Sequence, residues 1–346
     1  MHEMSMEQSV CDLVKLHWDD LHPNDPKPES LVFLKVAGKT SPNAAIIGLI
    51  LDGSSRHPVA VGKIPRNPHL TVGLEHEYAA MVDIRNKISA PEILAHIPCN
   101  GTLTEVNGVK ILLQTAGAGH PMVREMTSRQ SIESLYENIL PWMFDFHADG
   151  SEDCVLEGET LRELVEAPIA QFMEQFGFVS NEALSSQARQ YLAELPRKVV
   201  GQKVRLCRQH GDFNAHNILV KSDGSRFNDF TLIDWEDYRP RQLPIHDLNH
   251  FFTSNSKVAG SGLSGEESYT KFIISDGWYR DMYLKAVAAY ESHGLINREM
   301  FWALSPIYFV TMGLSIIGIQ REQKDTIRTW VKRENAFIER YCGGLE

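Results

Sequence analysis

Two short β-rich segments on either side of Ser225 constrain the fold of this chain more than any other feature. Ile218–Val220 and Phe230–Ile233 have the composition of strands, and the residues at 222–225 between them are typical of a tight turn. Asn217 enters this predicted antiparallel hairpin and Asp234 leaves it, so both lie at the same end, on strands about 4.8 Å apart. The pattern therefore predicts that one metal ion can touch both side chains.

The residues at this end of the hairpin indicate which ion and which chemistry to expect. An amide oxygen and a carboxylate, without a cage of further carboxylates, suit Mg²⁺, which fills its remaining coordination positions with water and phosphate oxygens. Asp212 precedes the hairpin on a predicted loop, where its carboxylate can accept a proton from a substrate hydroxyl. Together these residues predict a nucleotide-binding site that carries out phosphoryl transfer.

The order and spacing of these residues resemble those of a known family. His-x-Asp-x-x-x-x-Asn at 210–217, followed by Ile-Asp-Trp-Glu at 233–236, looks like the catalytic and metal-binding loops of the aminoglycoside phosphotransferase and choline kinase group. The resemblance implies an α+β, protein-kinase-like fold with a small β-rich amino-terminal lobe and a larger, mainly helical carboxy-terminal lobe. It also implies transfer of the γ-phosphoryl group of ATP to a hydroxyl of a small molecule. Further along, Asp247 resembles the aspartate that braces the catalytic loop in this family.

The resemblance implies a role for each residue of the pattern. Asp212 would be the catalytic base, and His210 would orient its loop. Asn217 and Asp234 would hold Mg²⁺, with Glu236 as an outer metal ligand.

A lysine near the amino terminus extends the predicted site. Leu31–Val36, Ala44–Leu51 and Val59–Lys63 are predicted to form a three-strand meander. Lys63 ends the third strand on the same face as its valines, because side chains alternate with a period of two. On such an apolar face, a lysine either reaches water at the strand end or needs an acidic partner.

The helical pattern at Leu74–Asn86 offers two partners, Glu75 and Glu77. They are two positions apart, so they cannot share one face of the helix. Glu77 lies four residues before Met81 and beside the apolar stripe, so we expect Glu77 to reach Lys63. The resemblance implies that Lys63 holds the α- and β-phosphates and that Glu77 orients it.

Small residues follow the next predicted strand, Val109–Leu113. The run from Gln114 to Gly119 lets backbone groups approach a flat ligand closely and makes a flexible joint. In the resembled family this segment is the hinge between lobes, and its main chain at Gln114, Thr115 and Ala116 would bind adenine. The alternative is a glycine-rich loop without a ligand.

The predicted boundaries are an extension at 1–30, a nucleotide-binding lobe at 31–116 and a larger lobe at 117–346 that contains the catalytic loop, the metal site and the substrate pocket. The larger lobe has helical patterns at Ile132–His147, Leu161–Phe176, Glu182–Leu195, Trp278–Ser292, Phe301–Gln320 and Lys324–Tyr341. An apolar patch within the extension predicts one short leading helix.

Composition excludes several classes of protein. A net charge of −11 argues against a nucleic-acid binder. The amino terminus lacks the pattern of a signal peptide, and the longest apolar stretch, Ser305–Ile319, is shorter than a bilayer span. We therefore expect a cytoplasmic protein that is not inserted in a membrane. The five scattered cysteines predict neither a disulfide framework nor a zinc site.

The acceptor is not identified by the sequence, and aminoglycosides, other sugars, choline-like amines and natural products stay open. Between Gln130 and Phe178 there are eleven acidic residues and one arginine, a local charge of −10. Clustered negative charge attracts cations, which favours a cationic, hydroxylated acceptor. The alternative is a solvated helical face that keeps the protein soluble.

Two other functions stay open. His and Asp residues in loops are the usual ligands of dinuclear sites, so the cluster His210, Asp212, His216, Asp234, His246 and Asp247 could form a metallohydrolase centre. A nucleotide-binding scaffold without catalytic activity is the third possibility. The hydrolase leaves Lys63 and Glu77 without a role.

Overall fold

The computed structural model describes residues 5–36, 45–179, 184–222, 227–319 and 324–343. In chain order the strands are β1 (Leu31–Val36), β2 (Ala45–Asp52), β3 (Pro58–Pro65), β4 (Asn100–Val106), β5 (Val109–Thr115), β6 (His120–Pro121), β7 (Glu152–Val155), β8 (Lys203–Gln209), β9 (Ile218–Ser222), β10 (Phe227–Leu232) and β11 (Arg239–Gln242).

The α-helices are α1 (Met6–Leu16), α2 (Trp18–Leu21), α3 (Val72–Lys87), α4 (Pro91–Leu94), α5 (Arg129–Ala148), α6 (Gly158–Leu161), α7 (Ala167–Val179), α8 (Ser186–Val199), α9 (His246–Ala259), α10 (Gly265–Tyr269), α11 (Trp278–Ser292), α12 (Arg298–Leu304), α13 (Pro306–Ile319) and α14 (Lys324–Phe337). Short 3₁₀ or π segments lie at Met122–Arg124, Arg162–Glu166, Trp235–Asp237, Thr270–Ile274 and Ile338–Cys342.

The chain divides into two compact units. The first contains Met1–Met122 and His216–Tyr238, and the second contains Val123–Ala215 and Arg239–Glu346. The β9–β10 hairpin groups with the first unit because β9 also pairs with β6. The lobe boundaries drawn from the sequence at 30 and 116 stay predictions.

The first unit is built on a five-stranded antiparallel sheet in the order β1-β2-β3-β5-β4. The three strands of the predicted meander are present, whereas the turn between the first two, at 37–44, lies outside the described residues. Strand β4 was not predicted. Its signal is Asn107-Gly108, where φ values of 52° and 78° form the left-handed turn between β4 and β5 that an Asn-Gly pair favours.

The predicted leading helix is present as α1, and it packs on the sheet. Ser5 caps it by accepting a hydrogen bond from the Gln8 N–H at 3.3 Å. Val10 and Val14 are fully buried in a cluster with sheet residues such as Ile50 and Leu113. Each such side chain contributes about 1.5–3 kcal/mol when fully buried, so the amino-terminal segment is part of the core of the first unit.

The second unit is mainly helical. Its three-stranded sheet has the order β11-β8-β7, and the helices surround aromatic contacts such as Tyr136 with Phe251, whose ring centroids lie 4.5 Å apart. Of the helices in the described ranges, none has both the length and the apolar composition needed to cross a bilayer. A sheet-based first unit and a mainly helical second unit form the α+β class that the sequence predicts.

Candidate active site

Lys63 lies in the first unit between two carboxylates. Lys63 is near the end of strand β3, and its Nζ is 2.8 and 2.6 Å from the Glu77 oxygens and 3.0 Å from Asp234 Oδ1. Lys63 is 9% exposed and Glu77 1%. Burial opposes the charge of the ammonium group, but Glu77 and Asp234 outweigh it, so the pKa of Lys63 lies above its usual value. This lysine therefore stays charged at neutral pH.

The choice between the two glutamates of α3 is settled by these contacts. Glu75 accepts a hydrogen bond from Thr71 Oγ1 at 2.8 Å and forms an ion pair with Lys110. Glu77 faces the sheet and binds Lys63, as the helical spacing predicts. The contact with Asp234 was not predicted, because it joins residues that are 171 positions apart.

The predicted hairpin places Asn217 and Asp234 at one end. In the register of β9 with β10, Ile218 pairs with Leu232, and the Ile233 N–H donates to the Asn217 carbonyl at 2.9 Å. The predicted turn at 223–225 lies outside the described residues. Asp234 itself has φ +71°, a left-handed conformation that costs a non-glycine residue of order 1–3 kcal/mol and is frequent at functional sites.

Glu236 lies one residue beyond the fully buried Trp235. Its Oε2 is only 2.8 Å from where a Cβ would stand at Gly73, so the glycine admits the carboxylate to the first turn of α3. Partial desolvation and the nearby charges of Asp234 and Asp237 raise the pKa of Glu236 to about 7. Glu236 therefore belongs to a locally negative group of carboxylates.

The predicted adenine-binding segment is tied into the sheet. Gln114 pairs with strands on both sides, and its side chain donates to Glu77 Oε1 at 2.9 Å. The Thr115 N–H donates to the Cys99 carbonyl at 2.9 Å, and the Ala116 N–H donates to the Val59 carbonyl at 3.1 Å. These two N–H groups are therefore bonded within the protein, and the binding of adenine by the main chain of this segment stays a prediction.

The small residues after β5 have a structural reason. A Cβ at Gly117 would lie 2.7 Å from Leu219 and 3.1 Å from Thr231, and Gly119 has φ +104° and lies against the Val220 backbone. The glycines let the chain pass close to the β9–β10 hairpin. At Gly117 the close approach is to side chains of the hairpin, and at Gly119 it is to the hairpin backbone.

In the second unit, Asp212 lies on the loop after β8. Its Oδ1 accepts hydrogen bonds from Asn214 Nδ2 and from His250 Nε2, both at 2.8 Å. The Asp212 side chain is 39% exposed, so it is open to a ligand. His210 is fully buried, and its Nδ1 accepts from the Asp212 N–H at 3.2 Å.

Asp247, at the start of α9, holds this loop through hydrogen bonds from its backbone. Its carboxylate accepts the N–H groups of His210 and Gly211 at 2.6 and 2.9 Å, and His147 Nε2 lies 3.0 Å away. Burial works against the charge of Asp247, but the hydrogen bonds from His147 and Gly211 outweigh it and hold its pKa below the usual value. Tyr290 OH contacts the other ring nitrogen of His147. We call Tyr290, His147 and Asp247 the buried Tyr–His–Asp chain.

A second set of the same residue types ends at Asp212. Tyr308 OH is 3.1 Å from His250 Nδ1, and the opposite nitrogen of that ring contacts Asp212. We call Tyr308, His250 and Asp212 the exposed Tyr–His–Asp chain. His250 was not predicted as a site residue, although its position three residues after Asp247 puts both on one face of α9.

The His and Asp residues that were proposed as metal ligands of a hydrolase take part in separate contacts within the protein. Over the described residues, no group of three or more His, Cys, Asp or Glu side chains is arranged to hold a metal ion. His210 and Asp247 are hydrogen-bonded in the second unit, whereas Asp234 is paired with Lys63 in the first.

Comparisons with known proteins place these observations in a family. The model of the APH family, described as the phosphotransferase enzyme family, matches residues 50–264, more than half of the 346 residues. No curated protein sequence matches the chain significantly.

The solved structures that are similar to most of the chain include two aminoglycoside phosphotransferases. An apo thermostable mutant of aminoglycoside phosphotransferase APH(4)-Ia has 14% identity and a TM-score of 0.57, covering 96% of this chain and 99% of that one. The GDP complex of wild-type aminoglycoside 2'-phosphotransferase-IIIa has 12% identity and a TM-score of 0.50, covering 93% and 98%. These similarities show the protein-kinase-like fold. Because the family model matches most of the chain, this protein belongs to the APH phosphotransferase enzyme family.

Proposed function

We propose that this phosphotransferase moves the γ-phosphoryl group of ATP, in the presence of Mg²⁺, to a hydroxyl group of a small molecule. The observation that carries the proposal is the contact of Lys63 with both Glu77 and Asp234. A buried lysine that stays charged supplies a fixed positive group for phosphate oxygens, and Glu77 holds it in place. Lys63 and Glu77 have no role in a hydrolase.

The residues at the hairpin end fit a magnesium ion. Asn217 and Asp234 would hold it through one amide oxygen and one carboxylate, the ligand types that Mg²⁺ prefers, and Glu236 would act as an outer ligand. When bound, the ion neutralises charge on the phosphates during transfer. Asp234 Oδ1 lies 3.0 Å from Lys63, so the metal end of the hairpin and the phosphate-binding lysine are adjacent within the first unit.

Asp212 is proposed as the base. The acceptor oxygen forms a bond to the γ-phosphorus, the bond from that phosphorus to the leaving oxygen of ADP breaks, and the hydroxyl proton passes to Asp212. His210 orients the loop through its buried ring and its backbone bond to Asp247. The hydrogen bonds at Asp212 Oδ1 hold the carboxylate in one orientation.

The nucleotide base is assigned to the segment Gln114–Ala116. Since the N–H groups of Thr115 and Ala116 are donated within the sheet, this segment would contact adenine through its carbonyl oxygens. The related aminoglycoside 2'-phosphotransferase-IIIa was solved with GDP, so GTP belongs beside ATP in any donor comparison.

A screen of nucleotide consumption tests the proposal. ATP and GTP are offered with kanamycin, streptomycin, glucose, ribose and choline, and phosphorylated products are identified by mass spectrometry. We expect Mg²⁺-dependent transfer to at least one hydroxylated compound. Nucleotide binding without transfer to any acceptor would favour the scaffold, whereas tightly bound zinc, iron or manganese in the purified protein would favour the hydrolase.

Variants of the first unit test the nucleotide site. Lys63→Met should abolish transfer and weaken nucleotide binding measured by calorimetry, because the fixed cation is lost. Lys110→Met is the matched control. Lys110 also pairs with a glutamate of α3, Glu75, but its side chain is 41% exposed. Asp234→Ala should weaken Mg²⁺-dependent binding more than Glu236→Gln. Equal tolerance of Lys63→Met and Lys110→Met would contradict the proposal.

The acceptor is proposed to be cationic because of the acidic segment that follows Gln130. Within it, however, Asp149 and Asp153 pair with Arg208 and Arg205 at 2.8 and 3.5 Å, and Glu152 pairs with Arg241. These arginines offset part of the local charge. The attraction that remains comes from other exposed acids, such as Glu137, Asp145 and Glu166.

Ionic strength tests this part of the proposal. The Debye length falls from about 30 Å at 0.01 M to about 8 Å at 0.15 M salt, so the KM of a cationic acceptor should rise with salt. The combined variant Glu137→Gln, Asp145→Asn and Glu166→Gln should raise KM at low salt without changing ATP binding. A KM that responds to neither change would leave the segment as a solvated surface.

A further inference from the structure

We propose that His250 is a positioning residue for Asp212: its Nε2–H holds the carboxylate in the orientation that accepts the acceptor's proton. The proposal rests on the role of Asp212 as the base. It assigns a residue of α9, 38 positions after Asp212, to the support of the loop that contains the His-x-Asp motif.

The geometry of the ring carries the proposal. His250 Nε2 is 2.8 Å from Asp212 Oδ1, and His250 Nδ1 is 3.1 Å from Tyr308 OH. The histidine is 5% exposed and Tyr308 is fully buried on α13, so the ring has little freedom to rotate. Ser254 Oγ lies 3.2 Å from the same Nε2, one turn further along α9.

These partners define the tautomer. A carboxylate only accepts hydrogen bonds, so Nε2 must carry the proton that faces Asp212. In the neutral ring Nδ1 is then an acceptor, and the Tyr308 hydroxyl donates to it. Tyr308 thus orients His250, and His250 in turn orients Asp212.

The hydrogen bond has a consequence for the pH dependence of turnover. A donor to the ionised carboxylate stabilises its charged form, which is the form that acts as a base. Losing the donor moves the acid limb of the kcat profile to higher pH. The groups that face His250 are Asp212 from the loop, Tyr308 from α13 and His246 from α9 itself, and Arg333 of α14 acts on Tyr308.

Two amide variants that differ by one methylene test the positioning role, because only one of them can reach Asp212. The amide of His250→Gln reaches the place of Nε2 and can still donate to Asp212. The amide of His250→Asn reaches only the place of Nδ1, beside Tyr308. His293→Asn, which removes an exposed histidine bonded to the Ala289 carbonyl, is the control.

The assay uses MgATP with the panel compound that supports the highest turnover. We expect His250→Asn to lower kcat about 10-fold or more, to leave the KM for ATP unchanged and to move the acid limb to higher pH. His250→Gln should recover most of kcat and keep the limb near that of the wild type, and His293→Asn should match the wild type. Folding of each variant is checked by thermal unfolding.

Equal kcat and equal pH profiles for the Asn and Gln variants would overturn the proposal, because only the Gln amide can keep the hydrogen bond to Asp212. Asp212→Asn separates this result from a failure of the proposed function. If Asp212→Asn keeps its turnover, the assignment of the base is wrong. If it is inactive while both His250 variants behave like the wild type, only the role of His250 is wrong.

Discussion

Two hydrogen-bonded chains in the second unit consist of the same residue types but differ in exposure. In the buried Tyr–His–Asp chain the histidine and Asp247 side chains are both 0% exposed, and the carboxylate is used by two backbone N–H groups of the loop. In the exposed Tyr–His–Asp chain the histidine side chain is 7% exposed and Asp212 is 39% exposed. Both chains contact the loop after β8: Asp247 accepts hydrogen bonds from its backbone, and His250 contacts the Asp212 side chain.

The difference shows how the same chemistry supports two tasks. A buried carboxylate needs all its partners, because leaving it without one costs free energy, so Asp247 is committed to holding the backbone. The Asp212 side chain accepts hydrogen bonds at Oδ1 and is 39% exposed, so a ligand can reach it. We therefore expect changes in the buried chain to alter stability and changes in the exposed chain to alter turnover.

Asp212→Asn should have the largest effect in the comparison. Loss of the base should lower kcat by about 10²-fold or more, while ATP affinity measured by calorimetry and the melting temperature stay close to those of the wild type. Asp247→Asn should instead lower both the melting temperature and kcat, because the loop loses its acceptor. Near wild-type turnover for Asp212→Asn on a confirmed acceptor would contradict the assignment.

His147→Asn should show the structural role of the buried chain. Loss of the His147 ring removes a hydrogen bond to the buried carboxylate of Asp247. We therefore expect the free energy of unfolding to fall by about 1.5–3 kcal/mol. Denaturant titration measures this, with His250→Asn as the counterpart in the exposed chain. Equal destabilisation by the two variants would mean that both chains are structural.

The stability contributed by Asp247 should depend on pH. Because the pKa of Asp247 is lower in the folded protein than in the unfolded chain, its contribution is complete above the unfolded value of about 4 and is lost as the pH falls through the folded value. The melting temperatures of the wild type and Asp247→Asn should therefore differ at pH 7 and converge toward pH 3. A constant gap over this range would show that the charge of Asp247 does not stabilise the fold.

Tyr290→Phe and Tyr308→Phe should have the smallest effects. Each removes one hydroxyl from a buried histidine contact, at a cost of about 1 kcal/mol in unfolding free energy. Only Tyr308→Phe should also lower kcat, by a few-fold, because its histidine then holds Asp212 less firmly. Parallel unfolding and turnover measurements on the two variants would show whether the exposed chain differs functionally from the buried one.

Local patterns in the sequence were enough to predict several features of this protein. The β9–β10 hairpin follows from two β-rich runs, and the pairing of Lys63 with Glu77 rather than Glu75 follows from the periods of a strand and a helix. The Asn107-Gly108 pair is also a local signal, because it favours the turn that joins β4 to β5, although β4 was not predicted. Each of these features depends on residues that are close in the sequence, where the geometry of a strand or a helix decides which side chains share a face.

Contacts between groups that are distant in the chain depend on the packing of the whole fold. Asp234 joins Lys63 across 171 positions, His147 meets Asp247 across 100, and His250 meets Asp212 across 38. Such contacts depend on how packed elements are oriented, which leaves no periodic trace in the chain. The N–H groups of Thr115 and Ala116 follow the same rule: their acceptors, the carbonyls of Cys99 and Val59, are defined by strand pairing and not by the small residues that follow β5.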